Sequence, residues 1–165
     1  MGQAKESFRY LQRAIELLHN NGWSHVELGL AYLALGDGEA ALAQFQSARE
    51  VNEAVGMLYL ASYWAWRGDR SARSGDWVQA RNAYEQSLSN DAVGYAGNLG
   101  MGSALWYSWA DRSKSILYLQ PPAAVATDDT RARLLLAEAY EAMGRVGKRS
   151  CWWAEPSPKT SEVEG

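Results

Sequence analysis

Apolar residues return along this chain at helical spacing, in short blocks punctuated by Gly-Asp pairs. Between His25 and Asn52, Leu28, Ala31, Tyr32 and Leu35 fall at i, i+3, i+4 and i+7, which places them on one stripe of an α-helix. Ala41, Phe45 and Ala48 form a second stripe of the same kind. Gly36 stands where the first helix must stop, because a left-handed C-terminal residue costs glycine least. Asp37 is then a natural N-cap for the second helix. At the front of the block, Ser24 with Glu27 predicts a capping box, and Trp23 a staple onto Leu28.

The frame repeats. Leu11 and Ala14 lie 34 residues before Phe45 and Ala48, so Lys5 to His19 reads as the second helix of an earlier unit. Gly75, Asp76, Ala80, Tyr84 and Ser87 repeat Gly36, Asp37, Ala41, Phe45 and Ala48 at a shift of 39. Leu136, Ala139, Tyr140 and Gly144 repeat Leu28, Ala31, Tyr32 and Gly36 at a shift of 108. Midway, Trp106 takes the place of Tyr32, and Ala110-Asp111 precedes Ser115 and Leu119. The long interval holds two Gly-Asp pairs, Gly68-Asp69 and Gly75-Asp76. Ending the helix at the first pair, with Arg70 to Ser74 as an inserted loop, keeps Arg67, Arg70 and Ser71 off the packing face and is the expected solution. The alternative is a helix that runs on to Ser74.

The order Leu-Gly, Ala-Tyr, Gly-Asp, Ala, Phe, Ala between Trp23 and Asn52 resembles a tetratricopeptide repeat (TPR), a 34-residue helix–turn–helix unit. The resemblance extends from about Ala4 to Gly144. It weakens from Tyr95 to Gln120, where Pro121 and Pro122 replace a small helical residue, and in the last unit, whose second helix meets Gly147, Pro156 and Pro158. It implies an all-α, right-handed solenoid of antiparallel helix pairs with about seven helices. One domain would span 4–150, with units near 4–20, 22–52, 54–90 with an insertion, 95–122 and a degenerate 129–150. A disordered tail would follow at 155–165, with Trp152-Trp153 covering the open end of the solenoid.

Composition narrows the function. The chain has 165 residues, 47% hydrophobic and 21% charged, as a folded domain requires. Its net charge of −3, with signs interleaved, provides no general field toward nucleic acid or an anionic membrane. The uncharged run from Ala92 to Ala110 carries Gly94, Gly97, Gly100, Gly102 and Asn98, too polar and too small to insert in a bilayer. Those glycines read instead as close helix–helix approach. The N-terminus lacks an apolar signal core, and the expected compartment is the cytoplasm. Cys151, His19 and His25 form no metal-ligand spacing and no nucleophile–base pair, so no cofactor and no enzymatic activity are expected. His25 reads as a structural histidine. Arg67, Arg70 and Arg73, interleaved with Asp69 and Asp76, read as a self-neutralised surface.

Eight tryptophans remain to be placed. Trp64 and Trp106 align with Tyr32 and are assigned to the core, Trp77 to the start of its helix, and Trp66 and Trp109 to the surface. The family resemblance implies that the first helix of each unit lines a peptide-binding groove. Carried over position by position, that groove takes Val26, Leu30 and Leu33, then Leu58, Ser62 and Trp66, then Ala104 and Tyr107, and finally Arg133 and Glu138. Val26 and Leu30 stand where a carboxylate clamp would need polar residues, so the implied partner is an apolar or amphipathic peptide or protein segment. The expected function is a protein–protein interaction scaffold or adaptor. The alternatives are a regulatory repeat segment of a larger enzyme and a self-assembling, homo-oligomeric structural protein.

Overall fold

The computed structural model describes residues 2–17, 21–109, 111–125 and 130–144. His19, Ala110, Asp128-Asp129, Gly147, Cys151, Trp152-Trp153 and the 155–165 tail lie outside the described residues. Among those described there are eight helices and no strand, one helix more than expected. They are α1 (Gly2–Leu17), α2 (Gly22–Ala34), α3 (Gly38–Val51), α4 (Glu53–Arg73), α5 (Trp77–Asn90), α6 (Tyr95–Tyr107), α7 (Arg112–Val125) and α8 (Arg131–Ala142). The doubtful helix was α7, yet it carries through Pro121 and Pro122, and Pro122 is fully buried.

Turn chemistry explains most of these boundaries. Gly36, Gly75 and Gly144 have φ of +83°, +79° and +68°, and end α2, α4 and α8 in the left-handed conformation. Asp37 and Asp76 cap α3 and α5 by accepting from the amides of Ala40 and Gln79 at 3.0 and 2.9 Å. The start of α2 departs from expectation. Its N-cap is Asn21, which accepts from the Trp23 amide at 3.1 Å, and Ser24 is buried inside the first turn. Trp23 stands edge-on to Tyr59 at 6.1 Å, a contact with the next pair.

The expected loop at Arg70–Ser74 does not form. Instead α4 is one helix of 21 residues, and Gly68 sits inside it. The reason is packing. A Cβ on Gly68 would lie 2.5 Å from the Tyr84 ring, just as one on Gly29 would lie 2.5 Å from the Phe45 ring. Gly68 is therefore the counterpart of Gly29, the small residue that admits the large one of the following helix, and Gly75 is the true helix end. The additional length lies at the N-terminal side of α4, where Leu60, Ala61 and Tyr63 are buried.

The even-numbered helices α2, α4, α6 and α8 touch one another in sequence, whereas α3, α5 and α7 do not. The even set therefore forms the inner layer. Clusters run without a break: Phe45 with Leu60 and Tyr63, Tyr84 with Met101 and Leu105, then Leu99 and Trp106 with Leu119, Leu136 and Tyr140. Each cluster joins one pair to the next, so the core is a continuous strip. Gly97, Gly100 and Gly102 press against Leu88, Tyr84 and Leu119, the close approach expected of them.

Candidate functional site

The inner layer opens into a groove of about 690 Å³ walled by α4, α6 and α8. Asp69, Ala72 and Arg73 come from α4; Tyr95, Leu99, Ser103 and Tyr107 from α6; Arg131, Leu134, Leu135 and Glu138 from α8. Trp77 and Tyr84 of α5 reach through to it. The helical period puts residues three and four apart on one face, which is why each helix contributes such a set.

Two aromatic arrangements shape the floor. The Tyr84 phenol donates to Asp69 Oδ1 at 2.7 Å. Burial, that hydrogen bond and the Asp69 charge push its pKa far above the ordinary phenol range. Tyr107 is 50% exposed and stacks on Trp77 with ring centres 6.0 Å apart and planes inclined by 29°. Leu134, 47% exposed, faces the groove from the opposite wall. Apolar surface at Tyr107, Leu134 and Leu135 is thus combined with acidic Asp69 and Glu138 and basic Arg73 and Arg131.

Of the residues carried over from the sequence, the structure brings Tyr107 and Glu138 to this groove. Val26 and Ala104 are 0% exposed, so they pack between helices and no partner can touch them. Leu30 is exposed on α2, and Leu33 is partly buried against the Phe45 cluster; neither lines the groove. Leu58 and Ser62 are exposed on the N-terminal half of α4, and Ser62 donates to the Leu58 carbonyl at 3.0 Å. Trp66 packs beside Tyr63, with Gly38 at the start of α3 close by. Arg133 is half-buried on α8.

These displacements share one cause, the repeat frame. With Gly68 equivalent to Gly29, the counterparts of Val26, Leu30 and Leu33 on α4 become Ala65, Asp69 and Ala72, not Leu58, Ser62 and Trp66. On α6, Gly102 is the equivalent glycine, pressed on Leu119, which moves the groove position from Ala104 to Ser103. On α8 the same frame selects Leu134 in place of Arg133. The signal available in the sequence was the constant spacing between the small residue and the following large one. It was hidden on α6 because the left-handed residue ending that helix is Trp109, with φ +59°, rather than glycine.

The remaining aromatic and basic residues are accounted for on the outside. Trp109 is exposed and covered on one face by Arg112, whose guanidinium lies 3.2 Å from its ring centre and 4.3 Å from that of Trp106. Arg67 and Arg70 lie over Trp64 and Trp66, and Arg67 pairs with Glu39 at 3.7 Å. His25 hydrogen-bonds Gln44 at 2.9 Å across α2 and α3, a structural contact.

Fold and groove together define a helical-repeat protein of the tetratricopeptide type, an all-α, right-handed solenoid of antiparallel helix pairs. Solved structures share this architecture. MamA aligns over 92% of this chain and 85% of its own with a TM-score of 0.56 and 16% identity. YrrB, a TPR protein with an unusual peptide-binding site, aligns over 86% of this chain and 70% of its own, with a TM-score of 0.59 and 17% identity. The 41-end segment of MamA from Desulfovibrio magneticus RS-1 gives 92% and 82%, with a TM-score of 0.54 and 14% identity. At such identities the likeness is one of fold. No protein-family model matches the chain, and no curated protein sequence does.

Proposed function

We propose that this chain is a protein-interaction scaffold or adaptor without chemistry of its own, and that it takes an amphipathic peptide segment of another protein along the α4–α6–α8 groove. The observation that carries this reading is the groove's composition. Tyr107 and Leu134 present apolar anchoring surface on opposite walls, while Asp69, Arg73, Arg131 and Glu138 supply both charge signs beside it. A bound helix or extended segment would bury its apolar side chains on the rings and pair its charged ones with these four. YrrB, a TPR protein with a peptide-binding site on the same fold, supports the assignment. The net charge of −3 favours a protein over a nucleic acid. No helix among the described residues is long and apolar enough to cross a membrane, and we assign the protein to the cytoplasm. Among the described residues no cluster of His, Cys, Asp and Glu could hold a metal.

Peptides selected on the wild-type chain from a displayed random library test the proposal. Tyr107→Ala and Leu134→Asp should each weaken the selected peptides tenfold or more, with helicity retained. Unchanged affinity in both variants would place the binding surface elsewhere.

Self-association is a second reading favoured by one observation. Tyr10 and Leu17 of α1 and Trp23 of α2 leave large apolar side chains exposed at the N-terminal end of the solenoid. Sedimentation over a wide concentration range decides it, and a single monomeric species throughout would dismiss it.

A further inference from the structure

Each inner helix with a complete partner receives one large side chain at one small residue. Cβ atoms built on Gly29, Gly68 and Gly102 would lie 2.5, 2.5 and 2.7 Å from Phe45, Tyr84 and Leu119. All three large side chains are buried. The spacing from small to large residue is sixteen, sixteen and seventeen. A second ruler runs from the left-handed glycine that ends the inner helix. Phe45 lies nine residues after Gly36, and Tyr84 nine after Gly75.

Both rulers meet on one residue in the last unit. Gly144 ends α8 in the same left-handed conformation, and the ninth residue after it is Trp153. Ala137 occupies the small-residue position of α8, and the sixteenth residue after it is again Trp153. The receiving face is open among the described residues. There α8 touches only α6 and α7, and Ala137 is half-exposed where Gly29, Gly68 and Gly102 are buried. Twenty-one residues follow Gly144, enough to return along the whole of α8.

We infer that the segment 145–155 of this chain docks on α8 through Trp153, which seats its indole against Ala137 as Phe45 and Tyr84 seat theirs against Gly29 and Gly68. The seat is completed by the ring more than by a full helix. The small residues flanking the aromatic, Ala41 and Ala48 in α3 and Ala80 and Ser87 in α5, become Arg149 and Pro156 here. Trp152 lies one residue out of this register, about 100° around a helix, and is the built-in control. The inference does not depend on peptide binding in the groove.

Amide hydrogen exchange on the full-length chain tests it. Trp153→Ala should speed exchange of the α8 amides tenfold or more and leave α2 and α3 unchanged. Trp153→Phe should restore protection, since Phe45 fills the equivalent place, and Trp152→Ala should leave α8 as in the wild type. Three outcomes overturn the inference. One is unchanged α8 exchange in Trp153→Ala. Another is an equal effect from both tryptophans. The third is α8 protection that rises with protein concentration, which would mean that a second copy covers this face.

Discussion

Replacing Gly68 by alanine sets two effects of known sign against each other. In the middle of a helix, alanine is favoured over glycine by about 1 kcal/mol. At this position the new Cβ would stand 2.5 to 2.8 Å from three atoms of the Tyr84 ring. That ring cannot step aside. Gly100 of α6 presses on the same ring, and its phenol is held by Asp69 at 2.7 Å. Overpacking of this kind costs roughly 1–3 kcal/mol. The net expectation is a loss of about 1 kcal/mol or more, read as a lower urea midpoint with the slope unchanged. A double-mutant cycle isolates the cause. Tyr84→Ala alone should cost about 3–5 kcal/mol. In that background Gly68→Ala should become stabilising by about 0.5–1 kcal/mol, because only the propensity gain remains. If Gly68→Ala raises the midpoint of the otherwise native chain, the ring is not wedged against Gly68, and the repeat frame drawn from that contact fails.

Four further outcomes follow from the same contacts. Gly75→Ala places a side chain at φ +79°, with nothing within 4 Å to clash, and should cost about 1–2 kcal/mol of backbone strain alone, measured by thermal unfolding. Tyr84→Phe should cost about 1–2 kcal/mol near neutral pH by removing the bond to Asp69. Because burial and Asp69 raise the Tyr84 pKa, the stability it contributes is fully present below the unfolded phenol value, about 10, and is lost as pH rises above it. The gap between wild type and Tyr84→Phe should therefore narrow above that pH, and a constant gap in urea titrations would contradict the assignment. Trp66→Ala should lower stability by about 1–3 kcal/mol while leaving peptide affinity intact, since the ring packs beside Tyr63 rather than in the groove. In Leu134→Asp the reverse pattern is expected: calorimetry should show affinity for selected peptides falling tenfold or more, with melting little changed.

Periodicity and turn chemistry alone determined that this chain is a stack of helix pairs. Gly36 and Gly75 had to end helices because the left-handed conformation penalises any side chain, and Asp37 and Asp76 had to cap the next ones. The apolar stripes at Leu28 and Leu136 had to be buried for the same elementary reason. What local pattern could not settle was phase. Gly68-Asp69 and Gly75-Asp76 read alike as helix ends, and a buried glycine inside α4 became distinguishable only once Tyr84 was seen against it. The end of α6 at Trp109 was illegible in the same way, since a tryptophan at φ +59° carries no glycine to mark it and is held by stacking on Arg112. A phase error of one residue turns a helix face by about 100°, enough to exchange the buried Ala104 for the groove-lining Ser103. The class of fold is thus a property of residue spacing along the chain. The surface offered to a partner depends on which large side chain enters which glycine, and only the packed structure decides that.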